Sequence, residues 1–383
     1  MGKGLHIDWI SRVREIGPAF AECAASADRE RRFVAENYTT LAQAGILGML
    51  VPSELGGGGA SHGEACQMLR ELAHYCPSTA LALSMHQHLV AATVWRHLHQ
   101  MPGEALLRRV AGEHLVLVST GAGDWLGSNG EVEPVEGGYR VTGSKHFASG
   151  SPGGDLLVTS AAWTQCPDGP AVLHFAVPLN AAGVSVANDW DTLGMRGTGS
   201  NTVTLQSVFV PEQAISLKRP REGWHPVWSI VLTVAAPIYS SPYVGIAEQA
   251  AEVARGICKG RVRGQEAAID GPNAHVPYLL GEMENALATA RMAHRALIDN
   301  ANDYDFTPDI ERANRALVSK TILAKASVET VTKAMEAVGG GSYFTRMGLE
   351  QLLRDVQAAQ HHPLPEKRQQ QITGRLALGL APV

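Results

Sequence analysis

The spacing of hydrophobic residues divides the chain into three stretches of different character. In the first, apolar residues recur three and four positions apart, beginning with Trp9, Val13 and Ile16, which is typical of amphipathic helices. From about residue 115 to 210, short β-branched runs alternate with Gly, Pro and Asp, and this predicts an antiparallel sheet in the form of a small barrel. After Trp228, helical spacing returns in three runs that each exceed 20 residues. Runs of that length predict a bundle of antiparallel helices.

These stretches predict an α+β protein with an N-terminal α-helical domain, a central antiparallel β-barrel and a C-terminal four-helix bundle. The expected domain boundaries are 1–114, 115–220 and 221–383. The length of 383 residues agrees with this division, because at about 150 residues per domain the chain holds two or three units. Within the first domain, the glycines 56–59 must form a loop before the next helix begins.

Composition and charge narrow the classes of function. Hydrophobic residues make up 45% of the chain and charged residues 18%, which is unlike a disordered or a membrane protein. The net charge of −5 provides no basic field for a phosphate backbone, so we expect no nucleic-acid partner. We also expect no membrane partner and no signal peptide, because no stretch approaches 18 uninterrupted apolar residues and the N-terminus lacks an apolar core. Five scattered cysteines without a CxxC pair indicate neither a disulfide framework nor a metal site, and they fit a cytoplasmic location.

Four segments carry motifs that resemble those of one known family. They are a Pro- and Gly-rich loop at 41–61, a Gly-x-Lys followed by Phe-Ala-Ser-Gly at 138–150, a Gly-Met-Arg turn before a strand ending in Val-Pro at 193–211, and a glycine cluster before a helix ending in Arg-Asp at 338–355. Taken in this order, they resemble the acyl-CoA dehydrogenase superfamily. That family has the layout of helical domain, β-barrel and four-helix bundle, and the resemblance covers nearly the whole chain.

The resemblance implies a flavin cofactor, FAD or FMN, bound against the sheet. Its expected contacts fall in two groups along the chain: Ser119, Thr120 and Gly121 at the pyrimidine side of the flavin, and Phe147, Ala148 and Ser149 over its ring. Short hydroxyls and backbone N–H groups suit such a site, because they donate hydrogen bonds to the flavin edge without blocking the substrate face. An ordinary strand serine is the alternative for Ser149.

The resemblance also implies a phosphate contact at the other end of the flavin. Arg261 stands at the end of a long helix, and Gly339 and Gly340 form part of the C-terminal glycine cluster. In the family arrangement such an arginine meets the phosphate of a flavin held by a neighbouring subunit. A solvated arginine at a helix end is the alternative.

The catalytic carboxylate of the dehydrogenases is missing at both positions that the family uses. Dehydrogenation of an acyl thioester needs a carboxylate to remove the α-proton while hydride leaves for the flavin. The residue nine positions after the arginine of Arg-Asp is Pro363, and the second family position is Val262. Glu366 and Glu266 are the nearby carboxylates, and either would need a shift along the chain to take this role.

Histidines stand near the vacant position instead. His362 lies where the reduced-flavin monooxygenases of the superfamily carry a C-terminal histidine, and His88, beside His86, lies on a helix where they place another. Ser149 ends a Phe-Ala-Ser-Gly segment that resembles the same branch. We therefore expect His362, His88 and Ser149 to be catalytic, with an imidazole that titrates near neutrality acting as proton donor. Buried structural histidines on the helix, and a surface position for His361, are the alternatives.

A loosely held cofactor is expected as well. Glu336 replaces a glutamine that helps to hold the dinucleotide in the family, and a carboxylate beside a pyrophosphate is repulsive. The favoured function is a flavin-dependent oxidoreductase that uses reduced flavin and O₂ as a monooxygenase or oxidase on a small organic substrate. The alternative is an FAD-dependent acyl-CoA dehydrogenase with Glu366 as a displaced base, and the third is an inactive binding or scaffold protein.

The expected protein partners depend on which of these reactions the chain catalyses. A monooxygenase would receive reduced flavin from a flavin reductase, whereas a dehydrogenase would act on an acyl thioester and pass electrons to an electron-transfer flavoprotein. The long apolar helices after Trp228 carry more hydrophobic surface than one bundle buries, so we expect a homotetramer or a homodimer.

Overall fold

Helices form both ends of the chain and strands form its middle, in the predicted order. The computed structural model describes residues 7–121, 124, 127–262 and 274–383. The helices before the sheet are α1 (Trp9–Glu30), α2 (Ala35–Gln43), α3 (His62–Leu72), α4 (Pro77–Leu98) and α5 (Glu104–Glu113). Those after it are α6 (Pro226–Val262), α7 (Val276–Ala301), α8 (Ile310–Val338), α9 (Leu349–Val356) and α10 (Glu366–Ala377).

The loop of four glycines before α3 is a structural turn. A Cβ on Gly57 would lie 2.2 Å from the carbonyl oxygen of Val51, and Gly59 has a φ of +63°, so only glycine fits there without strain. The loop ends in a capping box, in which the Ser61 hydroxyl accepts from the N–H of Glu64 and the Glu64 carboxylate accepts from the N–H of Ser61. This box fixes the start of α3.

The central sheet is mixed and open, which corrects the expected antiparallel barrel. Its strands are β1 (Leu117–Ser119), β2 (Glu131–Val135), β3 (Gly138–Ala148), β4 (Leu156–Trp163), β5 (Ala171–Pro178), β6 (Val184–Val186), β7 (Asn201–Pro211) and β8 (Ile215–Pro220). The order is β6-β7-β3-β2-β4-β5-β8, with β1 paired to β4.

Two strand pairs explain this difference. β1 and β4 run parallel, and so do β2 and β4 where they meet, whereas the other pairs are antiparallel. Parallel pairing is possible because β1 and β4 are joined by a long connection through β2 and β3 rather than by a hairpin. Among the described residues, β6 and β8 at the two ends of the order do not pair with each other, so the barrel is not closed.

α6 is the central helix of the C-terminal region, and it packs against α3, α4, α7 and α8. By length and composition it could cross a membrane, but 94% of its most apolar window is buried inside the protein. Within the described part of the chain, no other helix passes that test. The hydrophobic character of α6 is therefore accounted for by the packing of a core helix.

Candidate active site

A cavity of about 610 Å³ lies where the ends of β1 and β3 meet α4, α6 and the segment after α9. Most of the residues predicted from sequence to form the site line it. They are His88, Ser119, Thr120, Gly121, Phe147, Ser149 and His362. Ala148 is fully buried at the end of β3. The fold thus brings together side chains that are separated by up to 274 positions in sequence.

Hydroxyl groups form one edge of the cavity. Ser149 Oγ lies 2.8 Å from Ser200 Oγ, which lies 2.7 Å from the hydroxyl of Thr198. By contrast, the backbone N–H of Ser149 donates to the Phe147 carbonyl, and the N–H of Gly121 donates to another backbone carbonyl. These two amides were expected to serve the cofactor, but they are already used within the protein. The hydroxyls form a chain that ends on the Met195 carbonyl, and their oxygens keep lone pairs that can accept from a ligand.

An exposed aromatic ring forms the adjoining wall. Phe147 has a φ of +57° and its side chain is 62% exposed, with its ring edge-to-face against Trp190 at 6.0 Å. Leu193 is also 62% exposed at the cavity. Large apolar side chains that are exposed in a concave site gain free energy when a flat apolar ligand covers them. The cavity therefore has an apolar face beside a hydroxyl edge.

His362 is held at the opposite side by aromatic packing and by its own backbone. Its ring stacks on Tyr239 with centroids 5.1 Å apart and an interplanar angle of 14°, and Tyr243 lies 5.5 Å away. The Tyr239 hydroxyl donates to the Pro363 carbonyl at 2.8 Å, and Lys320 Nζ donates to the His362 carbonyl at 2.7 Å. Within the described residues, neither ring nitrogen of His362 has a hydrogen-bond partner. Both remain free to meet a ligand.

The His362 ring is neutral in this environment. Burial, together with the Lys320 ammonium, lowers the pKa of His362 to about 3. The expectation that it titrates near neutrality was therefore wrong, because the ring is enclosed in an apolar stack beside a cation. A neutral imidazole offers one N–H donor and one acceptor nitrogen. Burial also lowers the pKa of Lys320 to about 8.

The two histidines of α4 have different surroundings. His88 lines the cavity, its Nδ1 lies 3.3 Å from the Ser84 carbonyl, and burial lowers its pKa to about 4. His86, two positions earlier, faces away because side chains two apart lie on opposite faces of a helix. Its Nε2 lies 2.9 Å from the Leu47 carbonyl, and its Nδ1 accepts from the N–H of Leu117. His86 is a structural residue that ties α4 to β1.

Arg354 reaches the cavity wall with all of its donors engaged. Nη1 and Nη2 bond both oxygens of Asp28 at 3.0 and 2.7 Å, and Nε and Nη2 bond both oxygens of Glu350. Nη1 also donates to the Leu193 carbonyl. Next to it, Asp355 is buried and accepts from the N–H of Met195, and burial raises its pKa to about 7. The Arg-Asp motif therefore joins α9 to α1 and to the loop before β7.

No carboxylate lines the cavity in the part of the chain that the structure describes. Glu366 does not reach it, since its carboxylate pairs with Lys325 at 3.1 Å and accepts from Gln370. Pro363, at the usual position of the base, does line the cavity. Glu266, the other alternative, lies outside the described residues. The carboxylate base that acyl thioester dehydrogenation uses is thus absent from the described lining.

The predicted phosphate contacts lie apart from the cavity. Arg261 Nη1 lies 3.5 Å from the Ala337 carbonyl, and a Cβ on Gly339 would lie 4.0 Å from the same nitrogen. Gly340 follows in the same turn. Arg261 is 22 positions beyond Tyr239 on α6, which is about 33 Å at 1.5 Å per residue. One chain therefore does not bring Arg261, Gly339 and Gly340 to its own cavity.

Sequence reasoning missed several residues of the site. Ser200, Trp190 and Tyr239 line the cavity, and Lys320 supports it from behind. Lys320 could have been noticed in the sequence, because it stands among the apolar positions of a helix, where a charged residue is unexpected. Trp190 and Ser200 lie in irregular segments that no periodicity marks.

Comparison with protein families places both helical regions in one family. Residues 12–113 match the model of the acyl-CoA dehydrogenase N-terminal domain, and residues 238–366 match that of the acyl-CoA dehydrogenase C-terminal domain. The two models together cover more than half of the chain, and they leave the sheet between them unmatched.

Individual relatives match over nearly the full length. A putative acyl-CoA dehydrogenase, YdbM, of Bacillus subtilis is 27% identical over 93% of this chain and 92% of its own. A dibenzothiophene monooxygenase of Mycolicibacterium goodii is 26% identical over 94% of this chain and 92% of its own. Among solved structures, KijD3 in complex with FMN and a dTDP-linked amino sugar has a TM-score of 0.86 at 25% identity, covering 97% of this chain and 93% of KijD3.

Proposed function

Because the chain belongs to the acyl-CoA dehydrogenase superfamily, we propose that it is a flavin-dependent monooxygenase that inserts one atom of O₂ into a small organic substrate. The observation that carries this proposal is the lining of the cavity, which holds the neutral histidines His88 and His362 and, among the described residues, no carboxylate. An enzyme that removes an α-proton needs a base there. An enzyme that handles an oxygenated group needs hydrogen-bond donors instead.

The residues of the cavity fit a flavin ring. Phe147 and Leu193 provide the exposed apolar face, and the hydroxyls of Ser119, Thr120 and Ser149 stand near its edge. Gly121 has no side chain, and a Cβ there would come within 3.0 to 3.2 Å of Phe147 and of the His146 carbonyl, so the wall is already close-packed. Reduced flavin, when bound, supplies the two electrons that allow one oxygen atom to enter the substrate while the other leaves as water.

The side chains on the other wall would handle protons and orientation. His362 holds its proton on one ring nitrogen and presents it as a hydrogen-bond donor from a fixed plane, because Tyr239 stacks on the ring and bonds the next carbonyl. His88 faces the same space with the tautomer set by the Ser84 carbonyl, which makes Nδ1 the donor to that oxygen. The apolar side chains between them exclude water, which strengthens each hydrogen bond.

The same proposal includes the type of flavin, the oligomeric state, the domain division and the cellular location. Glu336 replaces the family's glutamine three positions before Gly339, and its carboxylate pairs with Lys333 at 3.0 Å. Because no side-chain amide is available there for a dinucleotide, FMN delivered in reduced form by a flavin reductase is favoured over tightly held FAD. The phosphate would meet Arg261, Gly339 and Gly340 of a neighbouring subunit in a homotetramer or homodimer. Tyr343, 87% exposed just beyond these glycines, supports such a contact. The three-domain division and a cytoplasmic location complete the proposal, and the free cysteines suit a reducing compartment.

The test uses the purified protein mixed anaerobically with reduced FMN and then with ¹⁸O₂ and a panel of neutral aromatic compounds. Incorporation of ¹⁸O into a product supports the monooxygenase. Stoichiometric H₂O₂ with no labelled product would assign an oxidase instead. Re-oxidation at the rate of free reduced FMN, whether protein is present or not, would contradict both.

A further inference from the structure

We infer that the cavity admits an uncharged, largely apolar substrate and discriminates against carboxylates, sulfonates, phosphate esters and ammonium groups. This inference rests on the proposed function only in treating the cavity as the site of the reaction. It comes from the charges that line the cavity and from what each of them is already bonded to.

Arg354 is the one arginine or lysine side chain on the described lining, and it cannot receive an anion. A guanidinium has five N–H donors. Here the five bonds run to the two oxygens of Asp28, the two oxygens of Glu350 and the Leu193 carbonyl. Arg196 Nη1 also lies 4.0 Å from Asp28, so the two cations of this cluster are balanced by its two carboxylates. An anionic ligand would have to displace one of them.

The remaining basic groups do not supply a cation either. Burial keeps His88 and His362 neutral, with pKa values lowered to about 4 and about 3. Lys320 is only 3% exposed and its ammonium points at the carbonyls of His362 and Leu364, behind the lining. His361 also lines the cavity, but it is exposed, so water screens any charge on its ring. An anion in this cavity would lose its hydration without gaining a partner.

A cationic substrate meets the same difficulty. No aspartate or glutamate lines the described part of the cavity, so an ammonium would also be buried without a counter-charge. Apart from His88 and Tyr239, the side chains that α4 and α6 contribute are apolar. They are Leu81, Met85, Leu232 and Ala235. Such walls bind neutral apolar surface, and the histidines then orient a single heteroatom.

The inference is tested by calorimetric titration of neutral and anionic partners of similar shape into the protein, both flavin-free and loaded with FMN. The probes are indole and benzothiophene against indole-2-carboxylate and naphthalene-2-sulfonate. We expect the neutral compounds to bind roughly 10²-fold more tightly, since burying an unpaired charge costs several times the thermal energy. Equal or tighter binding of the anions, or no binding of either neutral compound, would overturn the inference.

A variant tests the reason for the preference. Glu350→Gln removes one of the two carboxylates bonded to Arg354 and leaves Asp28 to balance both Arg354 and Arg196, so affinity for naphthalene-2-sulfonate should rise at least about 10-fold while that for indole stays the same. Glu311→Gln makes the same change of net charge at an exposed position of α8 that does not line the cavity. An equal gain in both variants would show that only net charge matters and would overturn the assigned role of Arg354.

The proposed function and this inference fail in different ways. A protein that binds neither FMN nor reduced FMN would contradict the flavin monooxygenase, whatever the panel gives. A protein that binds FMN but prefers the anionic probes would leave the flavin assignment standing and would refute the substrate class alone.

Discussion

Lys320 Nζ lies 2.7 Å from the carbonyl oxygen of His362, which places a buried ammonium directly behind the candidate active-site loop. The same nitrogen lies 3.4 Å from the Leu364 carbonyl. α8 thereby fixes a segment that Pro363 and Pro365 keep from continuing as a helix. The plane of the His362 ring is set from two sides, by this cation at its backbone and by the stacked Tyr239 ring.

Replacing Lys320 should displace His362 and leave flavin binding unchanged. Lys320→Met removes both bonds to the loop, and we expect turnover to fall roughly 10- to 10²-fold, since small displacements of a reacting group have effects of that size. FMN affinity, measured by fluorescence quenching, should stay unchanged. Lys325→Met on the same helix is the control, because Lys325 is exposed. If Lys320→Met and Lys325→Met turn over equally fast, Lys320 does not position the loop.

The two adjacent histidines should differ sharply. His362→Ala removes the ring that faces the cavity, and turnover should drop roughly 10²- to 10⁴-fold, the range for a lost general acid or base. His361 lies at the exposed rim of the cavity, so His361→Ala should be nearly neutral. Flavin affinity should change little in either variant. Equal losses in steady-state turnover would show that the loop matters only as a whole.

Ser149 tests the position of the flavin ring. In Ser149→Trp an indole would occupy the space beside Ser200, so we expect FMN binding to be abolished while the far-UV circular dichroism signal persists. Ser149→Ala removes only the hydroxyl that lies 2.8 Å from Ser200 Oγ, and should weaken binding by no more than about 10-fold. Unchanged FMN affinity in the tryptophan variant would show that Ser149 is an ordinary structural serine.

Stability should fall as the pH is lowered below neutrality. Burial lowers the pKa values of His86, His88 and His294 to about 4, whereas in the unfolded chain they lie near 6.5. Between these values the unfolded state binds more protons, so each group costs about 1.4 kcal/mol of stability per pH unit as the pH falls from 6.5 to 4.

One buried carboxyl opposes this trend. Burial raises the pKa of Asp355 to about 7, so its contribution is full below its unfolded value near 3.9 and is lost as the pH rises through 7. One group of opposite sign does not offset three. Thermal unfolding should therefore show a lower midpoint temperature at about pH 5 than at about pH 7. His294→Gln should flatten the slope, and a midpoint that rises toward pH 5.0 would contradict the account.

The sequence predicted more of the cavity lining than of the strand directions. His88 and His362 could be placed on this lining because they stand at fixed distances from family motifs, and because Pro363 at the expected base position is chemically inert. The mixed sheet was missed because a three-residue strand such as β1 gives no alternation from which its direction could be read. The direction of β1 relative to β4 depends on how the chain connects the two strands, and the pattern of hydrophobic residues does not encode that connection.

Electrostatic properties of the site also depended on the fold. His362 was expected to titrate near neutrality, but its surroundings come from Tyr239, Tyr243 and Lys320, which are distant in sequence. Likewise, Arg354 could be read as a site residue from its motif, whereas the carboxylate of Asp28, 326 positions away, decides what Arg354 can bind. Burial and partners of this kind are properties of tertiary packing.

The central claim is that this cavity performs oxygen insertion and not acyl thioester dehydrogenation. The most direct measurement is an anaerobic titration of the FMN-loaded protein, and in parallel of the FAD-loaded protein, with a panel of straight-chain and branched acyl-CoA compounds, following the visible flavin band. The account predicts that no member of the panel bleaches the flavin, because no carboxylate lines the described cavity. Bleaching by any acyl-CoA that is lost in Glu366→Gln and retained in His362→Ala would contradict it, and would identify a dehydrogenase with a displaced base.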